Sequence, residues 1–207
     1  MDFVRPVEAV IPGAPGRILA VLVETSAELN VRTVARLSGV SSAQASRLLP
    51  NLVELGMVER REVPPSALFR FVPEHVAARL VVALRDARGT VVEELAGAAQ
   101  RLRPPPVSVV LFGSFARREA GRDSDLDVLV VRPASLPEDD PAWRSGVDGW
   151  RAVARRLTGN RVDVLEVPEA EVGRRLRSRH PLWGDIRSDG VVLQGRTLAQ
   201  LQGRESA

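Results

Sequence analysis

Apolar positions in this chain change their period several times, and each change marks an element. Ile18, Leu19, Leu22 and Val23 repeat at helical spacing and predict a first helix over residues 17–28. The residues ahead of it, 1–16, carry Pro6, Pro12 and Pro15 and read as an extended or partly disordered lead-in. Asn30 can cap a short helix that runs to Ser38, after which Gly39 is free to take the left-handed conformation of a tight turn. Ser41 and Gln44 have the spacing of a capping box. They precede a helix with a buried stripe of Ala45, Leu48, Leu49, Leu52 and Leu55, stopped by Gly56. Pro50, inside that helix, removes the hydrogen bond to the Ser46 carbonyl at a cost of about 3 kcal/mol. It falls on the outward face, so the helix is expected to bend and survive. Residues 57–63 and 67–72 then flank a turn at Pro64, Pro65 and Ser66 and predict a two-stranded wing, with Phe69 and Phe71 on one face.

A helical period returns with Val76, Leu80, Val81 and Leu84, and again with Val91, Val92, Leu95, Ala98 and Leu102. These fit one bent helix or two short ones, interrupted near Gly89, and Pro104, Pro105 and Pro106 close the stretch. Two short β-branched runs follow, 107–112 and 127–131, each of a length that suits a strand buried on both faces. After an acidic loop over 133–141 come a helix over 143–157, an alternating strand over 161–167 and an arginine-rich helix over 169–179. Trp143 and Trp150, a heptad apart, are expected to pack in the core. A last strand follows Asp189 and Gly190. His180, just before a proline, reads as structural.

Chemistry concentrates between the two β-branched runs, where Gly113 and Ser114 leave the first and Asp123, Asp125 and Asp127 enter the second. Side chains alternate along an extended segment, so Asp125 and Asp127 share one face while Leu126 points into the core. Two carboxylates so placed can share a divalent cation. Gly113 would let backbone approach a phosphate, and the amides and hydroxyl of Gly113 and Ser114 could donate to it. Mg²⁺ prefers oxygen ligands and keeps water or phosphate in its shell, so two carboxylates suffice to anchor it. A two-metal arrangement asks for a third carboxylate. Asp163 offers one, on the face of its strand opposite Val162 and Val164, whereas Glu166 has the other parity and should not reach that face.

Gly113, Ser114, Ala116, Arg117, Ser124, Asp125 and Asp127 resemble the GS-x-A-R-G and D-S-D-x-D signature of nucleotidyltransferases of the DNA polymerase β superfamily, especially its minimal bacterial and archaeal members. The resemblance spans residues 105–195, and Arg118 departs from it by standing where the family has glycine. It implies Asp125, Asp127 and Asp163 as catalytic and metal-binding residues, with Asp163 helping to activate an acceptor hydroxyl. Gly113 and Ser114 would hold the triphosphate, and Arg117 would support the loop or a phosphate. It also implies Mg²⁺, with Mn²⁺ as a substitute, and an NTP such as ATP. Small members of the family act as antitoxins beside a toxin protein, and others adenylylate aminoglycosides. Residues 15–72, through ARLSGVSSAQASRLLPNLVELGMVERR, resemble the winged helix-turn-helix domains of bacterial transcriptional regulators. If that segment binds DNA, Ser42, Ala43, Ser46 and Arg47 face the major groove while Arg60, Arg61 and Arg70 reach phosphates. Otherwise the winged helix mediates homodimer assembly or binds a partner.

Composition narrows the rest. The chain has 207 residues with 44% hydrophobic content, enough for one or two cored domains. It contains no cysteine, which excludes disulfides and thiolate metal sites, and two separated histidines exclude a histidine-based zinc centre. A sequence pI near 10.9 suggests a strongly basic protein, yet the formal net charge is only +3. Every cationic side chain is arginine, so little titrates above neutrality, and basic surfaces must be sought locally. No apolar run is long enough to span a membrane and no secretory start is visible, which places the protein in the cytoplasm. The expected architecture is therefore α/β (α+β): a winged helix-turn-helix domain at 1–72, a helical linker at 73–103 and a mixed-sheet nucleotidyltransferase domain at 104–207. The expected activity is Mg²⁺-dependent transfer of a nucleoside monophosphate to a hydroxyl. The alternative is a DNA-binding regulator whose second domain senses nucleotide without catalysis.

Overall fold

The computed structural model describes residues 1–203, and the chain divides into two compact units, one formed by residues 5–87 and the other by residues 1–4 together with 88 onward. In the first unit, α1 (Pro6–Val10), α2 (Ala14–Val23), α3 (Val31–Ser38), α4 (Ser42–Glu54) and α5 (Val76–Arg85) surround a small antiparallel sheet of order β1-β3-β2. Its strands are β1 (Leu29–Asn30), β2 (Val58–Val63) and β3 (Ser66–Phe71). The Asn30 side chain accepts from the Thr33 amide at 2.9 Å and Gly39 caps α3 at φ 62°. Both halves of the Ser41–Gln44 capping box form at the start of α4. Ile18, Leu22, Val34, Ala45, Leu49, Phe69 and Phe71 make up much of the core of this unit.

Several local expectations are corrected here. Residues 1–16 are no open lead-in: Pro6 and Pro15 sit in the first turns of α1 and α2, where a missing N–H costs nothing, and Phe3 and Val7 are buried. The first long helix therefore starts at Ala14, and it ends at Val23, where the Thr25 hydroxyl accepts from the Ala27 amide at 3.0 Å and forms a turn. Pro50 stays inside an unbroken α4 with its ring exposed. Leu55, at the helix end, is 62% exposed and drops out of the expected stripe, and Leu48 is only half-buried. In α5 the face that packs is Ala78 and Val81, which leaves Val76 and Leu80 on the open side. The short strand β1 pairs Leu29 with Phe69 and adds a third strand to the wing.

Residues 73–103 divide between the units. The break falls at Asp86, whose carboxylate pairs with Arg85 at 2.8 Å, while Gly89 lies within α6 (Ala87–Gln100). A four-stranded mixed sheet of order β6-β5-β4-β7 organises the second unit. Strands β4 (Ser108–Phe112), β5 (Leu126–Arg132) and β7 (Val191–Gly195) pair antiparallel about β4, and β6 (Val162–Pro168) joins β5 in parallel. The single turn α7 (Gly113–Ala116) links β4 towards β5, and α8 (Pro141–Thr158) forms the crossover from β5 to β6. Behind one sheet face, α6 and α8 bury Leu95, Val109, Leu111, Val128, Trp143 and Trp150 together, with the Trp150 indole N–H donating to the Leu95 carbonyl at 3.2 Å.

Against the other face, α9 (Glu169–Arg177), α10 (Pro181–Asp189) and α11 (Leu198–Leu201) pack through Val172, Leu176, Trp183, Ile186 and Leu201. His180 caps α10, its ring accepting from the Leu182 amide at 3.3 Å. Residues 1–4 complete this unit: Phe3 meets Phe115 edge-on at 4.9 Å, and its amide donates to the Ala120 carbonyl at 2.9 Å. Among the described residues no helix is long and apolar enough to cross a membrane.

Candidate active site and nucleic-acid interface

The end of the mixed sheet makes two of the predicted carboxylates neighbours. Parallel pairing of β5 and β6 sets Asp127 directly beside Asp163, and antiparallel pairing sets Asp127 opposite Phe112, the residue before Gly113. Strand parity then places Asp127 and Asp163 on the face that carries Leu129 and Val167. Gly113 leaves β4 at φ +68°, and a Cβ there would stand 2.1 Å from Asp127 Oδ2. Glycine is thus required twice, by the backbone and by the neighbouring carboxylate.

Asp127 is half-buried. Its pKa is raised first by that burial and then by the charges of Asp163 and Asp125, with Arg117 and Arg161 opposing. Asp163 lies on the edge strand with a side chain 49% exposed. Asp125 precedes β5, in a loop closed by the Gly121 amide on Ser124 Oγ at 3.0 Å. Asn160, buried in the turn before β6, donates to the Ser124 carbonyl at 2.8 Å and so ties that loop to the strand carrying Asp163. Glu166 turns to the other face, as its parity requires, and pairs with Arg132 at 2.7 Å.

Two residues that the motif left out complete the corner. Asn160, between Gly159 and β6, carries no sequence signal of a site. Arg161 has the same strand parity as Asp163, which was its one available signal, and its guanidinium grips both oxygens of Asp125 at 3.1 and 2.5 Å and reaches Asp163 at 3.1 Å. Arg117 is held by Glu119 at 2.9 Å and lies 3.7 Å from Asp189, and these carboxylates raise its pKa, the Glu119 hydrogen bond most. Arg118, at the position of the family glycine, adopts φ 65°.

The donors suit a hard divalent ion in kind, being carboxylate oxygens crowded enough to need a positive charge. Among the described residues, however, no three His, Asp or Glu side chains converge closely enough to hold an ion as they stand. Arg161 supplies the positive charge at the corner.

On the first unit, Ser42, Ala43, Ser46 and Arg47 are exposed along the first turns of α4, while Gln44 is engaged in its cap. The three wing arginines are each matched by a glutamate. Arg60 lies 2.6 Å from Glu62 and Arg70 lies 2.7 Å from Glu59. Arg61 forks onto Glu28, a hydrogen bond that is the main cause of the lowered Glu28 pKa. Arg32 and Arg36, one turn apart on α3, are exposed and, like Arg47, have no ion-pair partner among the described residues. Sequence pattern pointed to the wing because adjacent arginines stand out there; Glu62 lies two residues from Arg60 on the same strand, but the partners of Arg61 and Arg70 are distant in sequence and meet them only in the fold.

The mixed sheet with its Gly-Ser turn and aligned carboxylates has the form of a nucleotidyl-transfer domain, and the capped helix pair with its wing has that of a DNA-binding domain. Residues 92–181 match the nucleotidyltransferase domain family and residues 16–62 match the IclR helix-turn-helix domain family. The chain thus joins a nucleotidyltransferase domain to an N-terminal helix-turn-helix domain. Among solved structures it is similar to a toxin-antitoxin crystallised with AMP-PNP, at 15% identity and a TM-score of 0.38, over 55% of this chain and 80% of that one. It is also similar to TrmBL2, an archaeal chromatin protein described as showing a novel mode of DNA binding, at 16% identity and a TM-score of 0.32, over 87% of this chain and 73% of that one. Both likenesses are remote. No curated protein matches the chain.

Proposed function

We propose that the protein transfers a nucleoside monophosphate from an NTP, with ATP as the expected donor, to a hydroxyl acceptor, and that the reaction needs Mg²⁺, which Mn²⁺ can replace. The observation that carries this reading is the Asp127–Asp163 register beside a Gly113 whose missing Cβ is filled by the Asp127 carboxylate. Asp125, Asp127 and Asp163 would hold the metal, which when bound supplies charge neutralisation for the triphosphate. Gly113 and Ser114 bring backbone amides and a hydroxyl to the phosphates. Asp163, the most open of the carboxylates in the register pair, takes the proton as the acceptor oxygen bonds to the α-phosphorus and the bond to pyrophosphate breaks. The acceptor is a protein, with a toxin partner among the candidates, a nucleic acid or a small molecule. The helix-turn-helix unit would hold the enzyme on DNA or on a second copy, in the cytoplasm.

Transfer of label from each α-³²P-labelled NTP, with Mg²⁺, into protein, RNA and small-molecule fractions tests this, beside an Asp125→Asn, Asp127→Asn control. Label that disappears in the control is the expected result, and label that persists there defeats the assignment. One observation favours a second reading, a DNA-binding regulator that senses nucleotide without catalysis: Arg161 already satisfies Asp125 and Asp163. Nucleotide binding without label in any fraction would select it.

A further inference from the structure

Arg161 lies immediately before β6, two residues ahead of Asp163, and its guanidinium lies against two of the carboxylates assigned to the cation. Both Asp125 oxygens already accept from it, at 3.1 and 2.5 Å, and its Nη2 is shared with Asp163. The side chain is 71% exposed, so apart from these carboxylates little holds it. A guanidinium keeps its charge at any working pH, and its fork matches a carboxylate, so it is a complete substitute for a cation in this corner. It is also easily displaced, because an exposed ion pair is weak and the stem is flexible.

We propose that Arg161 is a resident counter-ion that holds Asp125 and Asp163 in the cation-free protein and that a divalent ion must displace. This rests on the nucleotidyltransferase reading. A bare ion displaces a positive charge and leaves it unpaired, whereas an ion arriving on a triphosphate brings the anion that the freed guanidinium can meet. Arg161 therefore couples metal binding to nucleotide binding, and the coupling is reciprocal. It acts as a positioning residue for the carboxylates and takes no part in bond making.

Mn²⁺ titration followed by the paramagnetic resonance of the free ion tests this on the full-length wild type, Arg161→Gln and Arg161→Lys, each without and with a non-hydrolysable ATP analogue. Without nucleotide, Arg161→Gln is expected to bind Mn²⁺ roughly three- to tenfold more tightly than wild type, the range set by one exposed, shared ion pair. The enhancement of Mn²⁺ affinity by the analogue should shrink by the same factor, an effect that a purely structural role would not produce. Arg161→Lys, which keeps charge and fold but loses the fork, should fall between the two and carries the test if the glutamine variant does not fold. Equal or weaker Mn²⁺ binding in folded Arg161→Gln overturns the inference alone. Absence of Mn²⁺ binding in every variant, with and without nucleotide, overturns the nucleotidyltransferase reading and this inference together.

Discussion

Gly113 and Asp127 share one space: a Cβ on the glycine would stand 2.1 Å from the carboxylate's Oδ2. Gly113→Ala must therefore move the aspartate as well as force an L-residue to φ +68°. The backbone alone costs about 1–2 kcal/mol. A carboxylate displaced by about an ångström from the reacting centre is expected to lower transfer about 10²-fold. Steady-state kinetics and thermal unfolding of the variant measure both effects, and near-wild-type turnover would refute the placement of Asp127 at the centre.

Asp127 carries the complementary cost. Burial and its two carboxylate neighbours raise its pKa, so its folded-state value lies above the unfolded one. Such a group favours the fold while protonated, below the unfolded pKa, and that contribution is lost as pH rises through the folded pKa. At neutral pH the ionised carboxylate thus opposes folding of the metal-free chain. Asp127→Asn is expected to raise the melting temperature at pH 7 while abolishing transfer, with the gain fading on acidification as the wild-type group takes up its proton. Melting curves across pH check the sign, and a gain that grows on acidification would contradict it.

Arg118 is a non-glycine residue in the left-handed region, at φ 65°. Its charge also bears on Arg88, lowering the pKa of that residue after burial. Arg118→Gly relieves about 1–2 kcal/mol of backbone strain and gives back about 0.5–1 kcal/mol in unfolded-state entropy. The net expectation is a stabilisation of about 0.5 kcal/mol, read by urea unfolding. Transfer should be unchanged, because this side chain points to solvent and touches none of the carboxylates.

How much of this was legible in the sequence follows from the range of the interactions involved. Local rules fixed the Asn30 and Ser41–Gln44 caps, the Gly39 turn and the strand alternation that turns Glu166 away from the face of Asp163, and each stands in the structure. What escaped was long-range. Arg161 on Asp125 spans 36 positions and Arg61 on Glu28 spans 33, and no periodicity reports such pairs. The prolines of the first sixteen residues suggested an open chain because a proline at a helix start and one in a coil look alike until the neighbouring surface is known.

Phe3 shows what that early segment does. It is 8% exposed against Phe115, the residue after Ser114. Phe3→Ala is expected to destabilise the nucleotidyltransferase unit by about 3 kcal/mol, the low end for a buried phenylalanine because the site lies near the surface. The helix-turn-helix unit has its own core and should keep its transition. Two-transition calorimetry reads the asymmetry, and an equal shift of both transitions would show that Phe3 acts on the whole chain.

Charge pairing predicts which arginines bind DNA. Each wing arginine must leave a glutamate before it can meet a phosphate, whereas Arg32, Arg36 and Arg47 have no such partner among the described residues. A phosphate contact releases about one counterion, so removing one lowers the slope of log affinity against log salt by about 0.9. Arg32→Ala, Arg36→Ala and Arg47→Ala are each expected to lower the slope by about that amount, and Arg47→Ala to change sequence preference as well, since it is exposed along the first turns of α4. Arg61→Ala should change it much less and leave Glu28 unpaired, with a small loss of affinity from the added negative charge. Gel shifts across a salt series on a random-sequence pool measure all four slopes. A larger change in slope for Arg61→Ala than for Arg36→Ala would mean that the wing sheds its glutamates on DNA and makes the main phosphate contacts.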